Sequence, residues 1–431
     1  MSSVQEDDSP VTSANIGAAA EEPRLPVVVI GAGPVGLAAA AQLMKRTIPV
    51  VVFEAGMDAG DHIANWGHVR MFTPWRSNID DACTALLREA GWTPPQADHY
   101  PTGKEFLDDY LHKLAAIHSI AGCLRLGTRV VAVSRRGLGR TKSGTRAQVP
   151  FEVSTIDRFA RPERTYASAI IDASGTWGKQ SPLGSSGVPA PGESAHRDRI
   201  HYGMPDILGA ERANYLGKRV LVAGSGYSAI GNLVSCAELI DQDPQTRVYW
   251  ARRRDAAAAP EAGLPDRYSQ SRQLKQRLEA LIEARRIEVL SLFELDALDE
   301  GNAGSLVVHC RAGAQRRSIS VDRIVSSTGP RPELSMLGEL WLDLDPAFEC
   351  ARGIAGLIDP ARNTCGTVKL HGADELAQPE PNFFMVGMKS YGRASTFLLT
   401  NGYEQSRSVA AYLAGDQQAA VYRAGRATCG G

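Results

Sequence analysis

The chain has 431 residues, 43% hydrophobic and 22% charged, the balance of a globular protein too long for one ordinary core, so two domains are expected. A formal net charge of -1 supplies no field to recruit nucleic acid or an anionic membrane. The seven cysteines (83, 123, 236, 310, 350, 365, 429) form no Cys-x-x-Cys, which excludes a zinc ribbon and a local redox disulfide. No metal site is expected, and the pattern fits a reducing cytoplasm.

Residues 1–23 are rich in Ser, Ala and acid, with no basic start before an apolar run, and read as a disordered tail rather than a signal peptide. Residues 26–44 carry no charge and are nearly long enough to span a bilayer, but Gly31, Gly33, Pro34 and Gly36 interrupt the centre. A turn explains that stretch better. Residues 27–30 are a β-branched run expected to form a strand buried on both faces. Gly31-Ala-Gly33-Pro34-Val-Gly36 follows, then an Ala-rich helix over 37–44 and a strand over 48–53 that ends at Glu54. This is a βαβ unit of about thirty residues.

A loop-rich region over 55–80 carries Trp66, Phe72 and Trp75. Helices are expected at 81–90 and 103–118, and strands at 128–134, 151–154 and 165–172 in an antiparallel meander. The Arg/Gly/Ser-rich link over 135–148 reads as a mobile hairpin loop. The Gly/Pro/Ser-dense residues 178–192 look like a domain connection. A second βαβ unit begins with a strand over 219–223 and the turn Gly224-Ser225-Gly226-Tyr227-Ser228-Ala229. A helix over 230–240 and a strand over 247–250 complete it. An amphipathic helix over 271–285, strands to about 325, and a last helix over 396–414 close the chain.

The first turn is Gly-x-Gly-x-x-Gly between strand and helix. The first glycine permits the tight turn, the second lets a pyrophosphate approach the backbone, and the third packs helix on strand. Glu54, at the end of the next strand, sits where a carboxylate accepts from ribose hydroxyls. In the second fingerprint alanine replaces the third glycine, and the following strand runs into Arg252, Arg253 and Arg254 with no acid. Guanidinium groups grip a 2′-phosphate that an acid would repel, so NADPH is expected there in preference to NADH. Arginine clusters also occur as plain solvated turns; the position after the strand favours the phosphate. Two further segments, ending at Gly175 and Gly329, each read as a hydrophobic strand closed by a small residue, a hydroxyl and glycine.

On these residues the chain resembles the flavin-containing monooxygenase-like branch of the pyridine nucleotide-disulfide oxidoreductase superfamily, over about residues 24–415. The resemblance implies an α/β fold with two Rossmann-like dinucleotide-binding domains, the NADPH domain inserted into the FAD domain. The boundaries expected are 24–204 and 321–431 for FAD and 205–320 for NADPH. It implies FAD contacts from Gly31, Gly33, Pro34, Gly36, Glu54, Val131 and Gly175, and from Gly387 and Thr396 near the flavin. It assigns Gly224, Ser225, Gly226, Tyr227, Ser228, Arg252, Arg253 and Gly329 to the nucleotide-binding set. Many relatives place an aspartate just after the glycine that matches Gly387; here Met388 and Lys389 follow. The helix expected from Thr396 would aim its positive end at the flavin.

Near-sequence thiol pairs for disulfide reduction are absent, and no phenylalanine lies between Gly175 and Gly224 to begin a Baeyer–Villiger signature. The resemblance therefore implies monooxygenation of a small nitrogen- or sulfur-containing molecule with oxygen, through a flavin C4a-hydroperoxide. NADPH-driven reduction of a quinone, metal centre or carrier protein is the alternative, and a non-catalytic redox sensor the second. Trp66, Trp75 and Arg70 are expected to face the flavin, with Trp66, Arg70 and Tyr391 as the catalytic candidates. An aromatic loop that only packs between domains fits the first three equally well. Tyr391, Arg393 and Asn401 are the candidates for reaching substrate, and a homodimer is left open.

Overall fold

The computed structural model describes residues 24–253, 269–363 and 367–421. The expected tail over 1–23, Arg254, Cys365 and Cys429 lie outside them. In chain order the strands are β1 (Val27–Ile30), β2 (Val50–Phe53), β3 (Leu124–Arg125), β4 (Thr128–Arg135), β5 (Phe151–Asp157), β6 (Pro162–Ala167) and β7 (Ala169–Asp172). There follow β8 (Ile200–Tyr202), β9 (Arg219–Ala223), β10 (Arg247–Ala251), β11 (Glu288–Leu290), β12 (Phe293–Glu300), β13 (Leu306–Ala312), β14 (Gln315–Val321), β15 (Arg323–Ser326) and β16 (Phe383–Met385).

Two five-stranded parallel sheets carry the fold, ordered β16-β7-β1-β2-β3 and β11-β10-β9-β15-β8. Each is followed through the same path: strand, glycine turn, helix, strand, edge strand, three-stranded antiparallel meander, and a strand returning beside the first. The meanders are β4-β5-β6 and β12-β13-β14. β1 and β9 sit centrally because their Val-, Ile- and Leu-rich sequences tolerate burial on both faces. The apolar stretch over 26–44 is accounted for by β1, the turn and helix Pro34–Met44. Among the described residues no helix is long and apolar enough to cross a membrane.

The second sheet recruits β8 and β15, which moves both edges of its domain outward from 205 and 320. The reason is pairing: β15 lies parallel between β9 and β8, so its backbone groups are satisfied there. The expected strand over 165–172 divides at Ser168. β6 ends the meander, and β7 enters the first parallel sheet between β1 and β16. The C-terminal helix, Leu399–Leu413, starts three residues later than expected and packs on helix Pro34–Met44. Ser406 Oγ donates to the Val35 carbonyl at 3.1 Å, and a Cβ on Gly402 would fall 2.6 Å from Val35 Cγ2.

The loop between β4 and β5 is pinned, not mobile as its composition suggests. Glu380, 1% exposed, accepts from Arg135 Nε at 2.8 Å and from Arg146 Nη2 at 2.5 Å. Arg135 lies 3.6 Å over the Phe151 ring and Arg146 4.7 Å over Trp341. Burial by itself raises the Glu380 carboxyl, but Arg146, Arg135 and the Trp341 N–H outweigh it and hold the group below its ordinary 4.5. A depressed carboxyl contributes stability that is full above its unfolded value and is lost as pH falls through the folded one. Glu380→Ala, which leaves two buried guanidiniums unpaired, is expected to cost about 3–5 kcal/mol. Thermal melts across pH 3–7, about the range where the ordinary carboxylate titrates, should show a larger acid-side loss in the wild type than in the variant. Equal melting points at pH 7 would contradict the clamp.

Candidate functional site: two equivalent cradles

Gly31 adopts φ 99° and donates its N–H to Phe53 O at 2.7 Å. A Cβ there would fall 2.9 Å from Ala173 O and 3.0 Å from Ser174 Cα, at the exit of β7. Only glycine fits. A Cβ on Gly36 would fall 1.9 Å from Gly31 O, so the third glycine seats the helix on the turn. Gly33 differs: a Cβ there meets nothing within 4 Å. It is the open floor of the turn, at the N-cap of a helix that no side chain caps and that starts on Pro34. Glu54 stands at the end of β2, beside the turn. Its Oε2 accepts from Ala32 N and its Oε1 from Gly56 N, both at 2.7 Å, which fixes the carboxylate against the turn. Beyond it lies an open cleft of about 250 Å³, lined by Ala55, Met57, Arg129, Val131 and Ile156 among others. The β4–β5 register skips Val131, so a bulge leaves that backbone out of the ladder at the wall of the cleft.

The second domain repeats this construction. Gly224 has φ 136°, donates to Ala251 O, and would place a Cβ 2.3 Å from Ser327 O at the exit of β15. A Cβ on Gly226 again meets nothing within 4 Å, and Ala229 is fully buried in the third place. Arg252 stands where Glu54 stands. Arg252 N donates to Leu290 O as Glu54 N does to Arg125 O, and each carbonyl accepts from the meander's first residue, Phe293 or Thr128. The second meander also skips one residue, Asp296, at the place of Val131. Gly175 and Gly329 are likewise paired, at φ 69° and 88°.

Arg252 is only 6% exposed, its guanidinium 4.6 Å over the Trp250 ring. Arg253, beside it, is exposed. Ser225, Tyr227 and Ser228 lie partly exposed in the second turn. The 66–75 loop is held to residues 97–104, and its aromatics divide. Trp75 is buried against Phe106, and the Trp66 ring packs on Gly103, where a Cβ would be 2.8 Å away. Phe72 instead reaches the second domain, 4.7 Å from Tyr227. Arg70 donates to Tyr100 O at 2.5 Å and lines a polar cleft of about 420 Å³ with Gln96, His99 and, from the second domain, Gln270.

Tyr391 and Asn401 are both buried, and Asn401 Nδ2 donates to the Tyr391 hydroxyl at 2.7 Å. Thr396 precedes the helix and spends its hydroxyl on Ile358 O at 2.8 Å. Arg393 pairs with Glu349 at 2.7 Å. Gly387 stands at φ 69° beside Val35, with its N–H on Gln405 Oε1 at 2.7 Å.

Residues 26–177, which contain the first cradle, match the family of FAD dependent oxidoreductases (DAO). Bacillithiol disulfide reductase Bdr of Bacillus cereus superposes with a TM-score of 0.67 at 18% identity, covering 91% of this chain and 99% of that one. The cadaverine monooxygenase DfoA of Erwinia amylovora, solved with FAD bound, gives 0.64 at 14%, covering 93% and 96%. Ornithine hydroxylase PvdA of Pseudomonas aeruginosa gives 0.60 at 12%, covering 91% and 99%. The chain has the fold of the two-dinucleotide-domain flavoproteins. No curated protein matches its sequence.

Within this flavoprotein fold one feature escapes the sequence. Lys389 and Asp172, both with fully buried side chains, form an ion pair at 2.7 Å beside the first cradle. The lysine after Gly387 was visible in the sequence; its partner, more than two hundred residues away, was not.

The glycines divide into structural and open positions, and substitution separates them. Gly36→Ala and Gly31→Ala are expected to prevent stable folding, because each Cβ collides with backbone. Gly33→Ala should melt within about 1 kcal/mol of the wild type yet lose nucleotide affinity, since its methyl fills the open floor. Intact binding by Gly33→Ala, measured by titration of the unloaded protein, would contradict that division.

Proposed function

We propose that the first cradle holds FAD, the second holds NADPH, and the pair serves monooxygenation of a small molecule bearing a nucleophilic nitrogen or sulfur. The observation that carries this reading is the exchange of Glu54 for Arg252 at one structural position in two otherwise equivalent cradles. An acid accepts from unmodified ribose hydroxyls; a cationic strand end favours a 2′-phosphate. Arg253 is an exposed cation there, and the buried Arg252 adds its charge beside it. The open floor at Gly33 suits a diphosphate, and the Val131 bulge offers backbone groups to an adenine edge.

FAD held against the 31–36 turn and Glu54 would supply the redox chemistry between NADPH and oxygen. The protein's part is to hold the two nucleotides in place and keep bulk water away. Arg70, in the cleft between domains, is the cation best placed to orient a polar substrate.

Oxygenation is favoured over thiol–disulfide exchange by the cysteines. Cys83, Cys123, Cys236, Cys310 and Cys350 are all buried and free among the described residues. Burial pushes Cys123 up to about 11 and Cys236 and Cys350 to about 12, which keeps them protonated and poorly nucleophilic. The likeness to Bdr supports a second reading, in which the same cradles drive NADPH-dependent reduction of an acceptor without oxygen insertion.

Turnover of FAD-loaded protein with NADPH and candidate amines or thioethers under ¹⁸O₂ tests the choice. Label in the product is expected; turnover that persists without oxygen would favour the reductase. Arg253→Ala should weaken NADPH about tenfold, the loss of one charge-assisted contact, while sparing NADH. Equal effects on both coenzymes would remove Arg253 from the 2′-phosphate site.

A further inference from the structure

At the exit of β7, Asp172 Oδ2 meets Lys389 Nζ at 2.7 Å, with both side chains fully buried. Ser174 joins them. Its hydroxyl donates to Asp172 Oδ1 at 2.7 Å and accepts from Lys389 Nζ at 3.0 Å, while its N–H donates to the same carboxylate oxygen at 3.1 Å. Ser174 is partly exposed, and its Cα and the neighbouring Ala173 carbonyl are the atoms that Gly31 approaches. Three polar groups from β7 and the segment after β16 therefore fix the wall of the first cradle.

The second domain is an internal control. The same turn there runs Ser326-Ser327-Thr328-Gly329, and it needs no charge. Ser326 and Thr328 share a hydroxyl contact at 3.0 Å, Thr328 donates to Ser181 O at 2.8 Å, and Asn232 donates to Ser327 Oγ at 3.0 Å. Neighbouring strands meet it alike: Gly203 N donates to Ser326 O and Val386 N to Asp172 O, both at 2.9 Å. Neutral groups thus suffice to build the turn. Stripping water from an ammonium and a carboxylate is costly, and apolar residues of similar size often stabilise as well or better. The pair stands in only one of two equivalent turns.

We propose that Lys389 and Asp172 are positioning residues for the flavin nucleotide, acting through Ser174. They hold the Ser174 oxygen and the 172–175 turn at the cradle wall, so that the ribityl-diphosphate portion of FAD meets a pre-ordered surface. Lys389 is turned into the protein and touches the ligand only through that serine. The inference rests on the assignment of FAD to the first cradle.

The experiment uses full-length protein stripped of cofactor, titrated with FAD and separately with NADP⁺, alongside thermal melts. Lys389→Met leaves the Asp172 carboxylate without its partner, and both the melting point and FAD affinity should fall. Asp172→Asn with Lys389→Met removes both charges. It should recover the melting point while FAD binds about tenfold more weakly than to the wild type, the loss expected for one charge-assisted contact. NADP⁺ binding should be unchanged in it. Ser174→Ala, which keeps the ion pair, should weaken FAD alone, and it serves if the double variant does not fold. Wild-type FAD affinity in either the double variant or Ser174→Ala would overturn the proposal. Parallel loss of FAD and NADP⁺ affinity would do so too, because it marks a merely structural role. A wild type that takes up no FAD would sink the cofactor assignment itself, an outcome plainly different from these.

Discussion

Both halves of the molecule depend on one close approach. The first glycine of each turn lies so near the exit of the returning strand that a single methyl would strike backbone, at Ala173 O in one domain and Ser327 O in the other. That contact fixes the returning strand beside the first, which sets the order of each sheet. It also leaves the second glycine facing open space at a helix N-terminus. The open floor at that glycine, which the proposal gives to a diphosphate, is a consequence of packing and not an addition to it.

On this shared frame the domains differ by charge. Glu54 is fixed by two backbone N–H groups. Arg252 occupies the same backbone position but lies over Trp250, and the neighbouring Arg253 is exposed. The strand exits diverge too, with a buried ion pair in the first domain and hydroxyls in the second. One construction, used twice, differs at a few residues around the glycine turns.

The parts legible in the sequence are those fixed by local rules. Gly31, Gly33, Gly36 and Glu54 lie within one βαβ unit, and their spacing alone specifies the turn, its open floor and the acid. The pairing of the segments ending at Gly175 and Gly329 was also readable, because each is a strand closed by a left-handed glycine. What escaped depends on contacts far apart in the chain. Glu380 meets Arg135 and Arg146 across more than two hundred residues, so a Gly- and Ser-rich loop that looks mobile is tied down. Tyr391, Thr396 and Trp75 carry the right chemistry for a site, yet tertiary packing buries all three. Composition cannot tell an aromatic that walls a ligand from one that fills a core.

The central claim is that two equivalent cradles select different nucleotides. Equilibrium titration of the cofactor-free chain with FAD, NADP⁺ and both together tests it most directly. One FAD and one NADP⁺ per chain, bound without displacing each other, is the expected result. Mutual displacement of the two ligands, or a protein that binds neither, would contradict it.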